Sequence, residues 1–158
     1  MHHERKQDCS HLNQVFIDES MQVTLSFDLA SIRATRLASP PNSPPTCNRC
    51  DRLSSRLTTR TTNRKGNAGR PYYKCLPCNK FLCFIDDRGN DPNNPPCYCE
   101  ESSKTYMAGS EKRVPRGLFF SCRQGACDFH KPLRNDRGQH IAVSSYDLAD
   151  HLINLRLI

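Results

Sequence analysis

A small, metal-stabilised, mainly β fold made of two tandem modules is what this sequence predicts, and three observations predict it. Hydrophobic residues make up 36% of the 158-residue chain and Trp is absent, which is too little for one large core. Ten cysteines are present, and domains that bury little apolar surface depend on disulfides or metal ions for stability. Most of those cysteines fall into two consecutive sets of similar layout.

In the first set Cys47-x2-Cys50 is followed after 24 residues by Cys75-x2-Cys78, with Cys83 just beyond. In the second, Cys97-x-Cys99 is followed after 22 residues by Cys122-x4-Cys127. Two aromatics and one further residue precede the third cysteine each time, in Tyr72-Tyr73-Lys74-Cys75 and Phe119-Phe120-Ser121-Cys122. Each copy then reaches Asp-Arg-Gly, at Asp87 to Gly89 and Asp136 to Gly138. This is an internal repeat.

The elements follow in order. Residues 1–45 form a disordered arm closed by a Pro-rich linker from Ser39 to Pro45, although Met21 to Phe27 alternates like one unsupported strand. Residues 46–89 form the first module: Arg56 to Thr62 is rich in β-branched residues, Asn63 to Gly69 is a glycine-bearing turn, and Arg70 to Cys75 returns. Residues 90–96 are a second linker. Residues 97–138 repeat the plan, with Lys104 to Ala108, a turn at Gly109-Ser110, and Gly117 to Cys122. Over 144–158, Ser144 and Ser145 precede one capped helix carrying Leu148, Leu152 and Leu155.

Compartment decides between disulfides and metal. The first apolar run, Val15 to Ile17, is far shorter than a signal-peptide core, and no stretch approaches the roughly 20 apolar residues of a membrane span. The expected setting is therefore intracellular, the nucleus before the cytoplasm, with reduced thiols and no membrane contact. Structural zinc takes four ligands in a tetrahedron, and a Cys-x2-Cys turn presents two of them. The expected cofactor is two zinc ions, one on Cys47, Cys50, Cys75 and Cys78, the other on Cys97, Cys99, Cys122 and Cys127. Asn79 supports Cys78, because such knuckles often end in a left-handed residue and Asn tolerates that conformation. Cys83 stays open as a rival to Cys78, the alternative being a buried free thiol; His130 is the rival in the second set.

From Cys47 to Arg88 ten Lys/Arg face three Asp/Glu, and from Cys97 to Arg137 eight face five, so the whole positive excess of the chain sits on the two modules. A polyanion suits that distribution. Side chains alternate along a strand, so Arg70, Tyr72 and Lys74 share the face opposite Tyr73 and Cys75. With Arg56 and Arg60 on the partner strand, these five residues are the candidate single-strand contact. The same count in the second copy puts Gly117, Phe119 and Ser121 outward, with no charge among them. A catalytic cysteine needs an activating base, and the six histidines lie mainly toward the termini without a local signature. The chain therefore reads as a binding protein without enzymatic activity or small-molecule substrate. The alternative is a zinc-stapled protein-interaction adaptor using Phe119 and the final helix, with a protein partner and no nucleic-acid role.

The stretch Asn67-Ala68-Gly69-Arg70-Pro71-Tyr72-Tyr73-Lys74-Cys75 resembles the Gly-Arg-aromatic signature of GRF-type zinc fingers, and Cys97 through Phe129 resembles the same family's ligand frame. Taken together the chain is similar to fungal proteins carrying a GRF-like zinc ribbon domain, here in tandem. The resemblance covers about residues 47–138 and implies single-stranded DNA or RNA as partner. Two departures stand out: the first copy has Cys-x2-Cys and an extra cysteine, and the second has Arg116-Gly117 where Gly-Arg is expected.

Overall fold

The computed structural model describes residues 37–63 and 66–158, together with the backbone of two earlier strands. Those strands, β1 (Leu12–Phe16) and β2 (Thr24–Asp28), pair antiparallel with Leu12 opposite Asp28. The expected strand over Met21 to Phe27 is thus described from Thr24 on, and there it has a partner rather than being unsupported. Of the arm expected to be disordered, residues 1–11, Cys9 included, 17–23 and 29–36 lie outside the described residues.

Each cysteine set builds the same three-stranded antiparallel sheet. Ribbon 1 contains β3 (Ser55–Thr58), β4 (Pro71–Cys75) and β5 (Lys80–Phe84), in the order β3-β4-β5. Ribbon 2 contains β6 (Lys104–Met107), β7 (Leu118–Ser121) and β8 (His130–Pro132), in the order β6-β7-β8. The central strands alternate as predicted: Tyr73 and Cys75 are buried while Tyr72 and Lys74 are half-buried, and Leu118 and Phe120 are buried while Phe119 and Ser121 are half-buried. The match extends to single bonds. Ser54 N–H donates to Pro45 O at 3.1 Å and Ser103 N–H to Pro95 O at 3.0 Å; Cys47 N–H donates to Arg52 O and Cys97 N–H to Glu101 O, each at 2.9 Å. Both serines are buried.

The C-terminal segment joins ribbon 2. Helix α1 (Tyr146–Asn154) starts at Ser145, whose side chain accepts from Leu148 N–H, and it stops four residues before the expected Ile158. Arg156 there has φ 59°, a left-handed conformation that ends a helix. Ala149 and Leu152 of α1 pack with Leu118, Ile141, Val143 and Ile158 in the larger core, so residues beyond the expected boundary at 138 complete ribbon 2. A smaller cluster of Tyr73, Leu82 and Cys83 fills ribbon 1. Among the described residues no helix is long and apolar enough to cross a membrane.

The two expected linkers are packed parts of the body, held by side chains that satisfy their backbone. Ala38 exchanges hydrogen bonds with fully buried Asn90, from N–H to Asn90 O at 2.8 Å and from Asn90 Nδ2 to Ala38 O at 2.9 Å. Arg123 donates to Ser39 O at 2.6 Å. Asn94 Nδ2 donates to Gly89 O and Ser103 O, both at 2.9 Å. Gly89 has φ 72° and lies so close to β6 that a Cβ there would come within 2.4 Å of Thr105 O.

An ion-paired triad closes the ribbon junction. Asp86, just past β5, accepts from Arg70 Nε at 2.6 Å and Nη2 at 2.8 Å, and from Lys104 Nζ of β6 at 2.9 Å. Lys104 is fully buried. Burial opposes ionisation of Asp86, but the Arg70 hydrogen bonds and the two nearby cations override it and hold the carboxyl well below the usual range.

Candidate metal centres

Two groups of four thiols converge, Cys47, Cys50, Cys75 and Cys78 in ribbon 1 and Cys97, Cys99, Cys122 and Cys127 in ribbon 2, with the sulfurs of each group within 4.8 Å of one another. A tetrahedral zinc with Zn–S of about 2.3 Å places its sulfurs roughly 3.8 Å apart. The pairs Cys50–Cys75 at 3.5 Å, Cys97–Cys122 at 3.7 Å and Cys99–Cys122 at 4.0 Å fit that spacing, while a disulfide needs about 2.05 Å. All nine cysteines from Cys47 onward are free thiols. Each group can hold one zinc ion.

The knuckles explain the convergence. The residue after three of the four pairs turns left-handed, Asp51 at φ 58°, Asn79 at φ 50° and Glu100 at φ 63°, and in the longer Cys122–Cys127 turn Gly125 does so at φ 65°, which folds the chain back so the thiols face inward. The expectation for Asn79 holds. Arg49 N–H points at Cys47 Sγ from 3.4 Å and draws that thiol down to about 7. Across the site Cys78 is pushed up to about 12 by the neighbouring thiols, Cys50 foremost, and by burial. Four thiolates cannot gather without a cation; a dication reverses that repulsion and displaces the protons.

Cys83 stands apart from both groups. Its thiol is fully buried, burial pushes it up to about 12, and Gly125 of ribbon 2 packs so close that a Cβ there would lie 3.0 Å from its sulfur. It belongs to the junction between the ribbons. His130 is drawn into ring stacking on Phe119, at 4.7 Å.

The five residues expected to contact nucleic acid do not form one stripe. Arg56 lies opposite Tyr73 and Leu57 opposite Tyr72, so the register places Arg56 on the other face of the sheet, still exposed, with Arg60 exposed beyond the strand end. Arg70, expected outward, is 8% exposed, paired with Asp86, and stacked 3.7 Å over the Phe84 ring. Arg70 precedes the first residue of β4, where a carboxylate arriving from beyond β5 meets it. Tyr72 and Lys74 keep the expected face.

On that face the rings form a row crossing from ribbon 1 to ribbon 2. Tyr72 contacts Phe81 at 5.8 Å, Phe81 contacts Phe84 at 4.9 Å, Phe84 stacks on Tyr106 at 5.9 Å, and Tyr106 stacks on Phe119 at 5.4 Å. Phe119, expected as a lone outward ring, is thus flanked by Tyr106 and His130. Phe81 is 42% exposed and sits opposite Lys74 across a bulge in the β4–β5 pair. Phe81 is not among the residues expected on this face, although its place in the run Phe81-Leu82-Cys83-Phe84, beside a strand carrying Tyr72, is a usable signal.

Fold and sites together define a small β protein with two four-cysteine centres, each able to hold one zinc ion. Residues 44–88, the span of ribbon 1, match the family model of the GRF-like zinc ribbon domain. No curated protein and no solved structure matches the chain.

Proposed function

We propose that the chain binds single-stranded nucleic acid through ribbon 1. The carrying observation is the exposed Phe81 ring in contact with Tyr72, with the Lys74 ammonium arm opposite Phe81 in register. Stacking rings beside a cation are what a sequence-tolerant single-strand site uses. Arg56 and Arg60 are exposed and have no ion pair among the described residues, so they remain available to phosphates along the edge strand β3. The positive excess of the chain and the GRF-like match of ribbon 1 support the same reading.

The test is a titration of fluorescently labelled DNA and RNA oligonucleotides at several salt concentrations. Binding that weakens steeply and linearly in log salt is expected, because phosphate neutralisation releases counterions. An absence of binding at low salt overturns the reading. One observation favours the protein-adaptor alternative in that event: an apolar cavity of about 350 Å³ beside α1, lined by Leu37, Phe120, Leu133, Leu155 and Ile158.

A further inference from the structure

We propose that the cleft between the two ribbons receives one unpaired base of the bound strand and that Asp128 makes guanine the preferred one; this rests on the single-strand reading above. The cleft measures about 200 Å³ and has Phe81 of ribbon 1 on one side and Phe119, Phe129 and His130 of ribbon 2 on the other. Sites for whole small-molecule ligands usually run from about 300 to 1,000 Å³. This one is the size for a ring system rather than for a complete nucleotide.

Its position continues the proposed contact surface. Phe81 is the ring that touches Tyr72, so a strand stacked on Tyr72 has its next base at the mouth of the cleft. His130 is exposed, and its stacking on Phe119 holds the imidazole as a second flat surface. Aromatic surfaces accept any base, so the rings alone do not select.

Selection comes from the polar rim. Lys80 Nζ of ribbon 1 donates to Asn48 Oδ1 at 2.6 Å and to Asp128 Oδ1 of ribbon 2 at 3.0 Å. Asp128 is 75% exposed, so the pair is screened, weak and readily re-partnered. An ionised carboxylate only accepts hydrogen bonds. On its Watson–Crick edge guanine presents two adjacent donors, the ring N–H and the exocyclic amino group, which match the two oxygens; thymine presents one N–H between two carbonyls that the carboxylate repels.

The experiment uses the full zinc-loaded chain and compares a short oligothymidylate with the same strand carrying one central guanine, by fluorescence anisotropy. The wild type should bind the guanine strand roughly tenfold tighter, the scale of one bidentate base contact. Asp128→Asn should abolish that preference, and Phe81→Ala and His130→Ala should each reduce it, while zinc stoichiometry by native mass spectrometry stays at the wild-type value. His130→Ala changes an exposed side chain and guards against a folding defect in Phe81→Ala. Equal affinity of the wild type for both strands, or a preference that survives Asp128→Asn, overturns the cleft proposal and leaves single-strand binding standing. Failure to bind either strand overturns both.

Discussion

Lys104 of ribbon 2, fully buried, ends 2.9 Å from the Asp86 carboxylate of ribbon 1, whose other side is held by Arg70. Two cations around one carboxylate at a module junction make the carboxylate the critical member, because its loss leaves two charges buried without compensation.

Asp86→Asn is therefore expected to destabilise the protein by about 3 to 5 kcal/mol, the range for breaking a buried ion pair by removing one partner. Lys104→Met should cost much less, since Asp86 keeps Arg70 and an apolar chain replaces the buried ammonium. Urea unfolding of the zinc-loaded proteins checks the order; a larger loss for Lys104→Met contradicts it.

The same triad sets a pH dependence. Asp86 has a depressed folded pKa, so its contribution is complete above the unfolded carboxylate value of about 4 and is lost as pH falls below it. The stability gap between wild type and Asp86→Asn should narrow in acid. Burial draws Lys104 down to about 8 against the pull of Asp86. Between there and the unfolded value of about 10.4 the unfolded chain binds more protons, so this group makes stability rise with pH across that window. In Lys104→Met the alkaline rise should be absent, which unfolding midpoints from neutral to alkaline pH can read.

Cys78→Ser should release one of two zinc ions and unfold ribbon 1, because a ligand is lost from a module with little core of its own. Cys83→Ser should keep both ions and cost roughly 1 to 3 kcal/mol for a hydroxyl buried without an assured partner. Native mass spectrometry with thermal unfolding separates the two. Retention of two ions by Cys78→Ser would transfer the ligand role to Cys83.

On an oligonucleotide, Tyr72→Ala should weaken binding by about 1 to 3 kcal/mol, and Lys74→Ala should reduce the salt slope by roughly one unit or slightly less. Arg70→Ala should act differently, lowering stability while leaving the slope nearly unchanged, because its guanidinium is committed to Asp86. A slope change from Arg70→Ala as large as that from Lys74→Ala would show the ion pair opening on binding.

Gly89→Ala should destabilise by more than about 2 kcal/mol. The new Cβ meets backbone, Thr105 O, which cannot swing aside, and the φ of 72° adds the left-handed cost. Gly69→Ala is the control, with φ 72° and nothing within 4 Å of its Cβ position. It should cost only the backbone part.

The sequence by itself determined the two four-cysteine groups, the strand alternation around Tyr73 and Phe120, the left-handed Asn79 and the cap of α1 at Ser145, because spacing, period and capping act over a few residues. It could not place Arg70 or Arg56. Alternation assigns a side chain to a face only within a strand; Arg70 stands one residue outside β4, and the face of Arg56 depends on a cross-strand register that local pattern does not specify. Tertiary structure alone brought Lys104 to Asp86, Gly125 to Cys83, and the rings of Phe81 and Phe119 to one cleft, since each joins residues of different ribbons. It also turned the two proline-rich linkers into packed structure. Their prolines and asparagines signal departure from regular backbone, but whether such backbone is satisfied by water or by Asn90, Asn94 and Arg123 depends on what the fold places beside it.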